Sequence, residues 1–227
     1  MTLDYPWLSD TVRKRFESDE TMEAFLPKAL APEELKQKSD DRCLSAMSQR
    51  VFQAGMQHSV VDAKLPAFEE AFSGFVPEEM ALLSAEQIEG HMKNGRIIRD
   101  RTKLQTIPKN AQFILDIRGE QGSSFGAFIA NWPGSDIIGL WRLLGKRGAR
   151  LGGRSAPGFL RLVGKDTFLL TSDVVARLMA AGIIDREPTS QRDMQIVQDA
   201  FNALQQGSGR PLCQLSAMLS LSINPRF

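Results

Sequence analysis

Two adjacent glycines between two helical stretches constrain this chain more than any other feature. They lie in Leu151-Gly152-Gly153-Arg154-Ser155-Ala156-Pro157-Gly158-Phe159-Leu160. An apolar-periodic run from Ile137 to Leu144 precedes them, and Phe159, Leu160, Leu162 and Val163 follow at helical spacing. Pro157 fits a helix only in its first turn, where a missing N–H goes unnoticed. The second helix therefore starts near Arg154 or Ser155, and the paired glycines supply positive φ and close backbone approach. Backbone N–H groups at such a start point outward and suit a phosphate. Between Asp136 and Asp166 there is no acidic residue, while Arg142, Lys146, Arg147, Arg150, Arg154, Arg161 and Lys165 are basic. Exposed amides in a basic window are what contact with a nucleic-acid backbone requires. Glycine corners also join ordinary packed helices, so both roles stay open on this stretch alone.

The whole chain is no polycation. Its formal net charge is +1, so affinity for nucleic acid must come from local asymmetry. The segments Phe16–Asp41 and Pro66–Gly90 are acidic in balance, and Lys93–Lys109 and Arg142–Lys165 are basic. Cys43, Cys213, His58 and His91 show no metal-ligand spacing, and the two cysteines read as free thiols. No run spans a membrane and the N-terminus lacks a signal-peptide pattern, so a cytoplasmic protein with no membrane partner is expected.

Helical periodicity dominates and strand-like alternation is scarce. The expected class is all-α, in two helical lobes around a cleft. Helices are expected at Thr11–Phe25, Pro32–Lys38, Arg42–Gly55 capped by Asp40 or Asp41, Val60–Phe72 and Pro77–Leu83. Further helices are expected from the Ser84–Gln87 capping box, at Arg99–Ile117, at Asp173–Ala181 capped by Ser172, at Ser190–Gln206 and at Leu212–Leu221. Ser123–Phe128 and Asn131–Gly134 read as a connector. Residues 1–39 read as an N-terminal helical extension and 40–227 as the main domain.

Four segments in order then carry a resemblance. They are Val51-Phe52-Gln53-Ala54-Gly55-Met56, Phe68-Glu69-Glu70-Ala71-Phe72-Ser73-Gly74-Phe75, Ile97-Ile98-Arg99-Asp100-Arg101-Thr102-Lys103-Leu104, and Asn110-Ala111. Together they resemble the type I 3-methyladenine DNA glycosylases, with their Q-A-G turn, F-x-x-F segment, I-I-R-x-x-x-K box and N-A pair. The Gly152-Gly153 corner resembles the helix–hairpin–helix of the DNA glycosylase superfamily. Pro211 to Ile223 resembles that superfamily's last helix.

The resemblance implies a helical base-excision enzyme without a cofactor. Its partner is duplex DNA containing a damaged base, and a monomer is expected. The enzyme flips the base out of the stack and hydrolyses its N-glycosidic bond. The alternative is a non-catalytic binder of damaged or structured DNA. The hairpin residues Arg150, Gly152, Gly153, Arg154 and Ser155 then hold DNA, and Arg50, Gln53 and His58 stand at base-pocket positions. Arg50 occupies the family's glutamate position and His58 its tryptophan position, which marks a divergent branch. No equivalent of the family's structural zinc ligands is present.

The superfamily's aspartate, about twenty residues beyond the hairpin glycines, corresponds to Asp173 after Gly153. A carboxylate there stabilises positive charge on the sugar or activates water. It also suits a helix N-terminus by charge and dipole alone. Bifunctional members carry a lysine where Ser155 stands. A hydroxyl forms no Schiff base, so lyase activity is not expected. For Arg50 a salt bridge to one of the many acids is the favoured local role. Gln53 either meets a base edge or caps its turn. Arg99 and Lys103 either touch DNA or anchor the acidic segments.

Overall fold

The computed structural model describes residues 3–223. Its elements, in chain order, are α1 (Tyr5–Arg13), α2 (Asp19–Phe25), α3 (Pro32–Lys36), α4 (Asp40–Gln53), α5 (His58–Asp62) and α6 (Leu65–Ala71). Next come α7 (Pro77–Met80), α8 (Ala85–His91), α9 (Arg101–Leu104), α10 (Thr106–Gln121) and α11 (Phe125–Asn131). The last five are α12 (Ile137–Arg147), α13 (Ser155–Val163), α14 (Ser172–Ala180), α15 (Gln191–Ser208) and α16 (Leu212–Leu221). The described residues form no strand, as the all-α expectation requires. None of their helices is long and apolar enough to cross a membrane.

Several boundaries differ from the periodicity, each for a local reason. Thr11–Phe25 is not one helix, because Ser18 exchanges capping hydrogen bonds with Thr21 and starts α2 afresh. Val60–Phe72 is split likewise, and Pro66 sits in the first turn of α6. The connector holds a real helix, α11, whose Ser124 hydroxyl accepts from the Ala127 N–H. Asp40 and Asp41 lie inside the first turn of α4 and do not cap it; Ser39 is the N-cap. Thr171, not Ser172, caps α14 by accepting from the Val174 N–H. The Ser84–Gln87 capping box forms as expected.

The chain forms two compact units, and neither is a single stretch of sequence. One combines residues 3–30, Pro133–Gly139 and 166–223. Its centre is α16, with Leu212, Cys213, Leu215, Met218 and Leu219 buried, and α1, α14 and α15 pack on it. Pro211 offers α16 no capping side chain, so Asp166 does the work from 46 positions away. Its carboxylate accepts the Leu212 and Cys213 N–H groups, each at 2.9 Å. Phe168 stacks on Phe201 with centroids 4.0 Å apart.

The other unit combines Ala31–Trp132 and Leu140–Lys165 and is built on α4. Leu44, Met47, Val51 and Phe52 form its buried face, against which α10, α11 and α13 pack. A run of aromatic contacts leads from Phe52 to Phe68 and on to Phe72 and Phe75. Asp40, instead of capping α4, accepts the Phe125 N–H at 2.7 Å and so fixes the start of α11.

Candidate nucleic-acid and base-side residues

The corner between α12 and α13 takes the form expected. α13 begins at Ser155, Pro157 falls in its first turn, and Gly153 has φ +56°. Gly152, Gly153 and Arg154 are exposed. Ser155 differs from the other hairpin residues. It is buried, and its N–H donates to the Gly152 carbonyl at 3.1 Å, so that amide closes the turn.

Of the basic window, Arg142, Lys146, Arg150 and Arg154 are exposed. Two other members, Arg147 and Lys165, bond within the protein. Arg147 forms a two-pronged pair with Glu120, both bonds 2.7 Å. Lys165 is buried and donates to the carbonyls of Ala130 and Trp132 at 3.1 and 2.6 Å. The window is thus less uniformly available than its sequence suggests, and the exposed cations concentrate towards the corner.

The preceding turn is braced. Arg150 adopts a left-handed backbone, φ +59°, which costs a residue with a Cβ about 1–3 kcal/mol. Two hydrogen bonds hold its neighbour. The Asn110 amide donates to the Ala149 carbonyl at 3.2 Å, and its oxygen accepts the Ala149 N–H at 2.7 Å. Asn110 is fully buried. The Arg150 guanidinium donates to the Thr102 hydroxyl at 3.2 Å. Asn110 and Thr102 were legible only as parts of a motif. Their task depends on a turn some forty residues away in sequence.

Arg50 belongs to the last turn of α4 and is half-buried. The expected salt bridge is absent among the described residues. Its Nη2 donates to the Arg154 carbonyl at 3.2 Å, and its Nε is buried with no hydrogen-bond partner. Burial lowers its pKa, yet an arginine stays charged. The side chain lies against Gly158, where a Cβ would come within 2.4 Å of Nε. Arg50 therefore meets the first turn of α13 and the hairpin.

Gln53 is buried and its amide donates to Asp62 at 2.9 Å, tying the end of α4 to α5. Gln49 donates to the same oxygen. His58 is exposed at the first position of α5. Lys103 is buried and donates to the Phe52 and Ala54 carbonyls at 3.2 and 2.8 Å, which makes it a brace of the Gln53–Gly55 turn and not an anchor for acids. Arg99 is exposed.

Asp173 belongs to the other unit. It lies in the first turn of α14, partly buried, with the Ser220 hydroxyl donating to its Oδ2 at 3.3 Å. The carboxylate is thus held by α16 and by the positive end of its own helix.

Known proteins resemble this chain in part of its sequence and in its fold. Residues 34–142 match the family model described as methyladenine glycosylase. A DNA-3-methyladenine glycosylase of Haemophilus influenzae is 38% identical over 77 residues, which are 34% of this chain and 41% of that protein. The chain's match thus spans about two fifths of this curated relative. Among solved structures, 3-methyladenine DNA glycosylase I of Staphylococcus aureus aligns with TM-score 0.50 at 20% identity, over 68% of this chain and 90% of that one. The Methanocaldococcus jannaschii 8-oxoguanine DNA glycosylase aligns with TM-score 0.56 at 16% identity, over 95% and 92%. At these identities the structural likeness establishes the fold. Residues 34–142 are thus similar to the methyladenine glycosylases, and the described residues share the all-helical fold of these solved DNA glycosylases.

Proposed function

We propose that the protein is a monofunctional DNA glycosylase of base-excision repair, which hydrolyses the N-glycosidic bond of a flipped, alkylated base. The observation that carries this is the exposed Gly152–Arg154 corner at the start of α13, flanked by Arg142, Lys146 and Arg150. Such a corner offers backbone amides and positive charge to a phosphate without reading sequence. The name of the Haemophilus influenzae relative supports an alkylated base as the lesion.

In this reading Arg150, Gly152, Gly153 and Arg154 hold the strand, and Ser155 keeps the turn closed from within. Asp173 is assigned the role of stabilising the charge that builds as the bond breaks. His58, exposed beside the Gln53–Gly55 turn, stacks on or hydrogen-bonds the flipped base. Arg50 donates to carbonyl oxygens of the flipped base. Gln53 shapes this side through Asp62. The working form is a monomer on damaged duplex DNA.

The test is incubation with methylated duplex DNA and chromatography of the supernatant. Free methylated base supports the enzyme. Tight binding to the same DNA with no base released supports the non-catalytic binder instead. Borohydride treatment of the reaction is expected to trap no covalent adduct, because Ser155 has no amine to form one.

A further inference from the structure

The box from Ile97 to Lys103 and the Asn110-Ala111 pair are the most distinctive motif in the chain, yet the proposed reaction assigns no part to their buried polar residues. We propose that Lys103 and Asn110 are positioning residues that form a two-point brace, one holding the base-side turn and the other the phosphate-side hairpin. The proposal rests on the glycosylase reading, because it assigns each brace to one half of that activity.

Both side chains are buried, and both act on backbone. Lys103 meets the Phe52 and Ala54 carbonyls, at the end of α4, where carbonyls lack helical partners. An ammonium there also suits the negative end of the helix. Seven positions on, Asn110 exchanges two hydrogen bonds with Ala149, just before the left-handed Arg150. The neutral amide of Asn110 satisfies one donor and one acceptor of the same residue. Helices α9 and α10, four and sixteen residues long and separated by Gln105 alone, carry both groups. The pair therefore sets the base-side turn and the hairpin against one short piece of helix.

Asn110→Asp separates positioning from general damage. It keeps the acceptor for the Ala149 N–H and replaces the donor with a second oxygen facing the Ala149 carbonyl. Burial raises the pKa of such a carboxyl, so protonation on acidification restores a donor. The measurements are the Kd for a duplex with a tetrahydrofuran abasic analogue, and the single-turnover rate of base release from methylated duplex at saturating enzyme. In Asn110→Asp, Kd is expected to rise about tenfold near pH 8 and to recover on acidification towards about pH 5.5, relative to the unmodified protein at each pH. In Lys103→Met the release rate is expected to fall about tenfold while Kd stays within about twofold.

Unchanged Kd in Asn110→Asp across that range, or an unchanged release rate in Lys103→Met, overturns the brace. Should Asn110→Asp fail to fold, hydrogen exchange of the Ala149 amide in the unmodified protein decides. Slow exchange supports the brace and unprotected exchange overturns it. Arg154→Ala separates the two levels of failure. If it too leaves DNA affinity and its salt dependence unchanged, the glycosylase reading has failed. If it weakens binding while the brace variants do not, the brace alone has failed.

Discussion

The Arg50 side chain occupies the space that a Cβ on Gly158 would need, with Nε 2.4 Å and Cδ 2.9 Å from that position. Two effects compete in Gly158→Ala. Helix propensity favours alanine by up to about 1 kcal/mol, while forcing a packed side chain aside costs about 1–3 kcal/mol. The clash wins, so the variant is expected to lose about 1 kcal/mol of stability in urea unfolding. In an Arg50→Ala background the space is empty and the same change is expected to stabilise. Equal effects in both backgrounds would show that the two residues are not coupled.

Arg154 stands at the exposed corner before α13. Phosphate contacts release counterions, so each one adds to the slope of log affinity against log salt. Arg154→Ala is expected to weaken binding to all duplexes alike and to reduce that slope by about 1. A salt titration by fluorescence anisotropy reads it. A parallel weakening with no change of slope would place Arg154 away from the phosphates.

Asp173→Asn removes a charge while keeping the shape and an acceptor for Ser220. If the carboxylate stabilises the developing sugar cation, base release is expected to fall roughly 10²-fold or more with DNA affinity retained. Single-turnover assays separate the two quantities. Turnover at the original rate would leave Asp173 with only its helix-end role.

His91 packs on the Phe72 ring with centroids 4.3 Å apart, and burial lowers its pKa below the usual 6.5. The fold favours its neutral form. Below the unfolded pKa the unfolded chain binds the proton more readily, so stability is lost as pH falls through that value towards the folded pKa. His91→Leu is expected to flatten this part of the stability profile, measured as unfolding midpoints between about pH 7 and pH 5. An identical slope in the variant would assign the acid sensitivity to other groups.

The sequence shows its helices where an apolar stripe repeats, and loses them where a cap intervenes. Ser18, Ser124 and Thr171 each act within three residues, so the signal for these caps is local in the sequence. The hairpin was legible because double glycine and an early proline are local constraints on φ. Other relationships were not accessible that way. Asp40 looked like a cap because an acid before a helix usually is one, but its partner is the Phe125 N–H, 85 positions away. Arg50 looked like half of a salt bridge because acids abound, and its partner is a carbonyl of the hairpin. Ser155 looked like one more open amide, and the turn uses that amide itself. Where a side chain bonds to distant backbone, residue type gives no hint of its partner.

The discontinuous make-up of the hairpin-bearing unit bears on how the chain comes off the ribosome. The face of α4 that holds Leu44 and Met47 is synthesised more than a hundred residues before α13, which packs on α4. That unit cannot close while translation is still short of Lys165. Its nascent α4 must therefore wait with apolar surface uncovered, a situation in which chaperones bind and aggregation competes with folding. Residues 34–142, the stretch with the family match, would leave α4 in that unfinished condition if made alone.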